Sequence, residues 1–406
     1  MQLYEYKKDC CGCTACMNIC QISAIQMISD EYGFAYPRIE ADKCIECGFC
    51  VKACPLKNKE NLVDPIFTKV AVTSHTDVLQ SASGGAFASF AKSFINDGGI
   101  VYGCSMEVME GKLTPRHIGV EDMEGLLKLY GSKYVQSQMG NIYHAVRQKL
   151  NTGRLVLFSG TPCQVDGLHH FLKKDYNNLL TIDIICHGTP GIKLFQDYIT
   201  VLERRLGGKV VDFKFRDKTY GWGYTGKVSY EKHGRIKSKR IFDKESSYYT
   251  LFLKSYIYRD SCYYCKYAGK KRASDITIGD YWDIEKVHPE LVECGKVDPQ
   301  RGVSCLLVNT NKGKEFLVKY RQGFLLFDSS FEKAATGNEQ LCKPTKMDNN
   351  RDLVFNIYKT EGYDGIERWY RKQQGLKEYF RRIKRRIPKR IRAQLKKKLM
   401  HFKNIK

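Results

Sequence analysis

Two runs of cysteine near the start constrain this chain more than anything that follows. Cys10, Cys13, Cys16 and Cys20 have the spacing C-x2-C-x2-C-x3-C, and Cys44, Cys47, Cys50 and Cys54 repeat it 34 residues later. Thiolates so spaced suit cubane iron–sulfur clusters. Each iron takes one soft thiolate, and a tight loop delivers three of them from one run. In paired runs of this kind the fourth cysteine ligates the other cluster. The expected assignment is therefore crossed. Cys10, Cys13, Cys16 and Cys54 take one [4Fe–4S] cluster, and Cys44, Cys47, Cys50 and Cys20 take the other.

Other uses of cysteine fit less well. Disulfides need an oxidising compartment, and the opening MQLYEYKKDC resembles no secretory signal. Zinc sites use two separated pairs, not four close cysteines twice. Seventeen cysteines in such a chain point to a reducing cytoplasm and metal chemistry. One departure from the ferredoxin pattern is that Pro55 follows Cys54 whereas Gln21 follows Cys20. Cys11 reads as a bystander thiol.

A length of 406 residues implies two to three domains. No apolar run approaches the roughly 18 residues of a membrane span. Residues 1–60 read as a ferredoxin-type domain, with a hairpin between the cysteine runs that turns at Asp30–Gly33. Residues 56–65 read as a polar linker. Over 68–330 strands (98–106, 154–160, 179–188, 303–310) alternate with helices (121–131, 141–150, 192–207, 247–258), and 208–245 is richer in strand. That alternation predicts an α/β body with a parallel or mixed sheet, α+β over the whole chain. Residues 331–406 read as a helical, basic C-terminal region.

Several short sequences of the body stand out: SASGGAF (81–87), GSKYVQS (131–137), SGTPCQ (159–164), ICHGTP (185–190), FRDKTYGW (215–222) and DITIGDYW (275–282). Gly/Ser/Thr clusters at strand-to-helix junctions offer free N–H groups to a phosphate, although ordinary turns use the same residues. Cys163 falls at a predicted helix start and Cys186 at a predicted strand end, so both belong to one sheet edge. With the C-x2-C pair Cys262 and Cys265 they make a third four-cysteine cluster site. The plainer alternative is packing, since free cysteine is a common buried hydrophobe. Cys104, Cys294, Cys305 and Cys342 lack comparable context. His187 is either a proton donor beside a redox centre or a structural histidine.

Together these sequences resemble the beta-subunit family of coenzyme F420-reducing hydrogenases and dehydrogenases. The resemblance runs over about residues 68–330. It rests on S-x-S-G-G at Ser81–Gly85, G-S-K-Y at Gly131–Tyr134, G-T-P-C-Q at Gly160–Gln164, and C-x2-C with D-I-T-I-G-D-x-W at Cys262–Trp282. It implies an FAD-binding oxidoreductase whose clusters exchange electrons with the flavin. The flavin in turn serves a small two-electron substrate such as coenzyme F420. A flavin accepts one or two electrons and so converts between the two regimes. The resemblance carries FAD contacts to Ser83, Gly84, Gly85, Ser132, Lys133 and Tyr134, with Lys133 facing a phosphate or flavin carbonyl, or else solvated. It implies a ferredoxin or other redox protein as partner. A non-catalytic electron-transfer subunit and a redox role in polysaccharide biosynthesis are the alternatives.

Net charge is +23, but residues 381–406 hold 13 Lys/Arg and no acid. The body therefore need not bind polyanions. Phe380, Ile383, Ile387, Ile391, Leu395, Leu399 and Phe402 form one apolar stripe on this tail, with Pro388 as a kink. Such a helix suits an anionic membrane surface, which makes the expected location cytoplasmic with peripheral contact at the inner face. Packing on the body is the rival, and nucleic acid is the least expected partner.

Overall fold

The computed structural model describes residues 2–58, 62–74 and 76–386. The stripe expected at Phe380–Phe402 lies outside the residues whose side chains are described.

In the N-terminal module β1 (Ile25–Ser29) pairs antiparallel with β2 (Ala35–Ile39). Asp30 shapes the turn between them, its carboxylate accepting from the Tyr32 and Phe34 amides at 3.0 Å each. Short helices at Ala15–Ile19 and Phe49–Lys52 carry Cys16 and Cys50. The residues that start them, Thr14 and Gly48, are left-handed (φ 68° and 73°), which bends each cysteine run back on itself.

The body opens with β3 (Phe67–Thr73), β4 (Ile100–Met109), β5 (Lys112–Val120), β6 (Val156–Gly160) and β7 (Leu179–Ile184). β8 (Lys209–Lys214), β9 (Thr225–Lys232) and β10 (Arg235–Phe242) then form a separate antiparallel sheet. The chain returns through β11 (Ile276–Asp280), β12 (Ser304–Val308) and β13 (Phe324–Ser329) to complete an eight-stranded mixed sheet of order β13-β3-β12-β11-β7-β6-β4-β5. Its centre, β4-β6-β7-β11, is parallel and its flanks are antiparallel. The central strands are continuous apolar runs because helices cover both faces. Phe90 and Phe94 of helix Ala86–Asn96 pack on one face, in a cluster with Leu157 and Leu180. On the other, Val165, Leu168 and Phe171 of helix Pro162–Leu172 join Val156 and Phe158, and the same cluster takes in Ala15 and Ile19 of the N-terminal module.

The hairpin tip is fitted closely to the body. A Cβ on Gly33 would lie 2.3 Å from the Lys193 nitrogen, and one on Gly191 would lie 2.3 Å from the Tyr32 carbonyl. Tyr32 also meets Phe355 of the long helix Asn350–Arg386 edge-on, with ring centroids 4.4 Å apart.

Two elements differ from the expectation. The strand expected at 98–106 is one arm of a ten-residue strand paired with β5, whose sequence KLTPRHIGV does not announce a strand. Pro115 is tolerated because β5 is the last strand of the sheet. The helix expected over 247–258 stops at Leu253, and Ser255 turns left-handed (φ 61°). Among the described residues no helix is long and apolar enough to cross a membrane.

Candidate functional site

Cys10, Cys13, Cys16 and Cys54 line one cavity of the N-terminal module, and Cys20, Cys44, Cys47 and Cys50 line another. Each set thus draws its fourth member from the other run. Cys13 and Cys50 are buried and Cys47 is exposed, so the second cavity is the more accessible. Among the described residues no three His, Cys, Asp or Glu side chains converge on a single-ion position. The sulfurs instead surround a space, the arrangement required when each iron of a multi-iron cluster has its own thiolate.

Cys163, Cys186, Cys262 and Cys265 line a third and larger cavity of about 510 Å³. Thr161, just past β6, caps helix Pro162–Leu172 reciprocally with Gln164, which places Cys163 in the first turn. Cys186 follows the end of the parallel neighbour β7. Both therefore sit at the carboxyl edge of parallel strands, where open α/β sheets collect ligands. Cys262 lies in the 3-10 turn at Asp260–Tyr264 and Cys265 directly follows it. Beyond it, buried Arg272 donates to the Asp183 carboxylate at 3.0 Å and the Tyr267 carbonyl at 2.9 Å, tying the segment to β7. Cys11, read as a bystander, lines both this cavity and that of Cys10 and Cys54. Hydrogen bonding with Cys11 pushes the Cys163 thiol well up, and burial does the same to Cys186.

A fourth cavity, of about 560 Å³, shares Thr161 and Cys186–Thr189 with the third, so His187 stands in a common wall. Ser83, Gly85, Ser132, Lys133 and Tyr134 line it. Gly85 starts helix Ala86–Asn96 in a left-handed conformation, and no side chain caps that helix end. Gly84 does not line the cavity. It lies against β3 and β12, where a Cβ would meet the Ala71 carbonyl and the Ser304 amide at 2.5 Å. Ser83 donates its hydroxyl to the Val303 carbonyl at 2.7 Å. Lys133 is engaged by the chain itself. Its ammonium donates to the carbonyls of Lys128, Leu129 and Tyr130 at 3.1, 3.0 and 2.8 Å and so caps helix Met123–Leu129. Burial lowers its pKa to about 8.

Three separated sequences come together beside this cavity. Trp282 stacks on Trp222 at 4.5 Å and on Tyr224 at 5.2 Å. Arg216 lies over the Trp282 ring at 5.3 Å and pairs with Asp280 at 3.0 Å. Lys218, buried, donates to the carbonyls of Val78, Ser83 and Arg301. FRDKTYGW, SASGGAF and DITIGDYW therefore meet at one place.

Sequence reasoning missed His117, Tyr224 and Phe252 on this cavity, and none of them lies in a recognisable pattern. Phe252 stacks on Tyr134 at 4.3 Å. His117 is assigned as the neutral tautomer. Nε2–H donates to the Ser159 carbonyl at 3.0 Å, so Nδ1 accepts from the Ser137 hydroxyl at 2.9 Å. Burial lowers its pKa from 6.5 to about 4. Between those values the unfolded chain binds more protons, so this residue makes stability rise with pH and adds nothing above that window. The expected loss on going from pH 7 to pH 5 is about 2 kcal/mol. Denaturant melts of His117→Gln should show a correspondingly flatter profile, and an unchanged slope would contradict the assignment.

The comparisons with known proteins follow the same division. Residues 9–58 match the 4Fe-4S dicluster domain, and residues 153–328 match the family described as the C terminus of the coenzyme F420 hydrogenase/dehydrogenase beta subunit. An uncharacterized polyferredoxin-like protein of Methanocaldococcus jannaschii is 35% identical over 65 residues, which cover 14% of this chain and 39% of that protein. The chain thus spans well under two thirds of that relative. Among solved structures, a chain of the F420-reducing [NiFe] hydrogenase complex from Methanosarcina barkeri aligns with 74% of this chain and 96% of its own length, at 15% identity and a TM-score of 0.43. The two sequence matches give the chain a 4Fe-4S dicluster domain at residues 9–58 and, over residues 153–328, a region similar to the C terminus of the coenzyme F420 hydrogenase/dehydrogenase beta subunit, and together they support a redox, electron-transfer role.

Proposed function

We propose that this chain is an iron–sulfur flavoprotein that passes electrons between a ferredoxin-type carrier and a small two-electron substrate of the coenzyme F420 kind. In this reading the two N-terminal cavities hold [4Fe–4S] clusters in the crossed arrangement. Cys163, Cys186, Cys262 and Cys265 hold a third. The cavity of about 560 Å³ receives FAD. The observation that carries the proposal is the wall shared by the third and fourth cavities, Thr161 and Cys186–Thr189. It leaves no intervening domain between a cluster ligand and the flavin space.

The residues present fit FAD. The uncapped start of helix Ala86–Asn96 offers backbone amides to a diphosphate. Tyr224 and Trp282 offer aromatic faces to a planar ring, and the ion-paired Arg216 lies over the Trp222 and Trp282 indoles and holds them in place. Gly85, Ser132 and Tyr134 are kept as contacts, Ser83 as a backbone contact, Gly84 as packing and Lys133 as support for the loop. FAD supplies the exchange between one-electron and two-electron chemistry. The basic tail suits an anionic membrane surface on the cytoplasmic side.

Anaerobic purification followed by iron, sulfide and flavin analysis tests the proposal. Roughly twelve irons per chain are expected, four for each of three clusters, with about one FAD. Reduced carrier should bleach the flavin, and F420 should then be reduced. A chain that holds its irons but takes up no flavin when FAD is supplied would instead be an electron-transfer subunit whose catalysis lies on a partner.

A further inference from the structure

Among the described residues three arginines are almost wholly buried: Arg216, Arg259 and Arg272. Arg216 is neutralised by Asp280 and Arg272 by Asp183. Arg259 is the most deeply buried of the three, at 0% exposure, and among the described residues no carboxylate pairs with it. The neighbouring Asp260 is engaged by Arg351. A guanidinium stays charged at any physiological pH, and a buried charge without a counter-charge is strongly unfavourable. Something must therefore balance Arg259.

Its surroundings identify that partner. Nε donates to the Cys10 carbonyl at 2.6 Å, Nη1 to the Gln136 side chain at 3.1 Å, and Nη2 to the Ala35 carbonyl at 3.0 Å. Nη2 also reaches the Cys10 sulfur at 3.5 Å, and the Tyr36 ring lies under the guanidinium at 4.0 Å. Every polar partner is neutral except that sulfur, which becomes a thiolate on metal ligation. The backbone of Arg259 meanwhile accepts from the Cys262 amide at 3.0 Å. The residue thus spans the space between the Cys10 site and the Cys262 site.

We propose that Arg259 is the fixed counter-charge of the cluster held by Cys10, Cys13, Cys16 and Cys54, and that it raises this cluster's reduction potential above that of the outer one. The proposal rests on the reading that these cysteines hold a cluster. Net charge and hydrogen bonds to the sulfurs are the main protein levers on such potentials. A fixed positive charge favours the reduced, more negative state. With the Arg259 charge in place, transfer of one electron from the outer to the inner cluster, oxidising the first and reducing the second by one unit each, would be favoured. No proton moves. The electron originates on the one-electron carrier that docks outside, and the inner position becomes the favoured resting place on the way to the body.

The test is a redox titration of the anaerobic full-length protein, followed by electron paramagnetic resonance, for the native chain, Arg259→Lys and Arg259→Gln. In Arg259→Gln one N-terminal cluster should titrate at lower potential. The one-electron partition between the two N-terminal clusters should change by about tenfold, which for one electron is about 59 mV. Arg259→Lys keeps the charge and should shift the same cluster by less. Unmoved midpoints in a glutamine variant with its full iron content would overturn the proposal. If that variant loses iron, the decision passes to native protein labelled with 15N-arginine. A guanidinium nitrogen coupling in the reduced inner cluster is expected, and its absence overturns the proposal. Clusters present with either negative result leave the redox reading standing, whereas a chain that binds no iron sinks that reading first.

Discussion

If the proposed flavin and third cluster are present, replacing Cys262 with alanine is expected to leave the two N-terminal clusters intact and to disconnect them from the flavin. Cys262 and Cys265 reach the third cavity from one short turn and the residue after it, while Cys163 and Cys186 reach it from two strand ends. Removing one thiol leaves one iron of a four-iron cluster without a protein ligand, so roughly four of about twelve irons should be lost. Arg272 continues to hold the segment to β7 through Asp183, which keeps the rest of the site in place. The flavin should still bind, because none of its expected contacts comes from that turn. Electrons from reduced carrier should then fill the N-terminal clusters and stop there. Stopped-flow spectra would show cluster bleaching without flavin bleaching. A variant that keeps all its iron and reduces its flavin at the native rate would show that the third cavity is not on the route.

Cys54→Ala is the second large effect, and its direction runs against sequence distance. Cys54 is four residues from Cys50 and 38 from Cys16. It nevertheless lines the cavity of Cys10, Cys13 and Cys16, while Cys20 lines that of Cys44, Cys47 and Cys50. Losing Cys54 should therefore damage the buried inner cluster and spare the outer one, with roughly four irons lost. Alkylation followed by mass spectrometry reads the outcome directly. Cys10, Cys13 and Cys16 should become reactive, and Cys44, Cys47 and Cys50 should stay protected. The reverse pattern would mean that each run keeps its own fourth ligand.

The contrast between these two sites shows what a sequence can disclose. The N-terminal cysteines are legible because their spacing is local and repeats at a fixed offset. The third site is legible by halves. Cys262 and Cys265 are visible as a pair, but Cys163 and Cys186 join them only through the order of the parallel strands. The cavity beside it is announced by glycine-rich junctions, yet the roles within it are not. Lys133 faces helix carbonyls because the end of Met123–Leu129 needs a donor, and no pattern near GSKY reveals that need. β5 was hidden by a proline that only an edge strand accepts. Arg259 lies furthest from reach. It meets Cys10 across 249 residues of sequence, and an arginine in YIYRDSC carries no local mark of burial.

The close fit of the hairpin tip has a consequence for kinetics. A redox module carried on a loose tether delivers electrons at a rate limited by its own swing, which solvent drag slows. Here Gly33 lies against the Lys193 backbone, Gly191 against Tyr32, and Arg259 reaches into the module from the body. There is no room at that seam for the module to pivot without breaking packing. The separations along the internal route are therefore built in. On the proposed route, viscosity should bear only on the outside step, the encounter of a carrier with the exposed Cys47 rim.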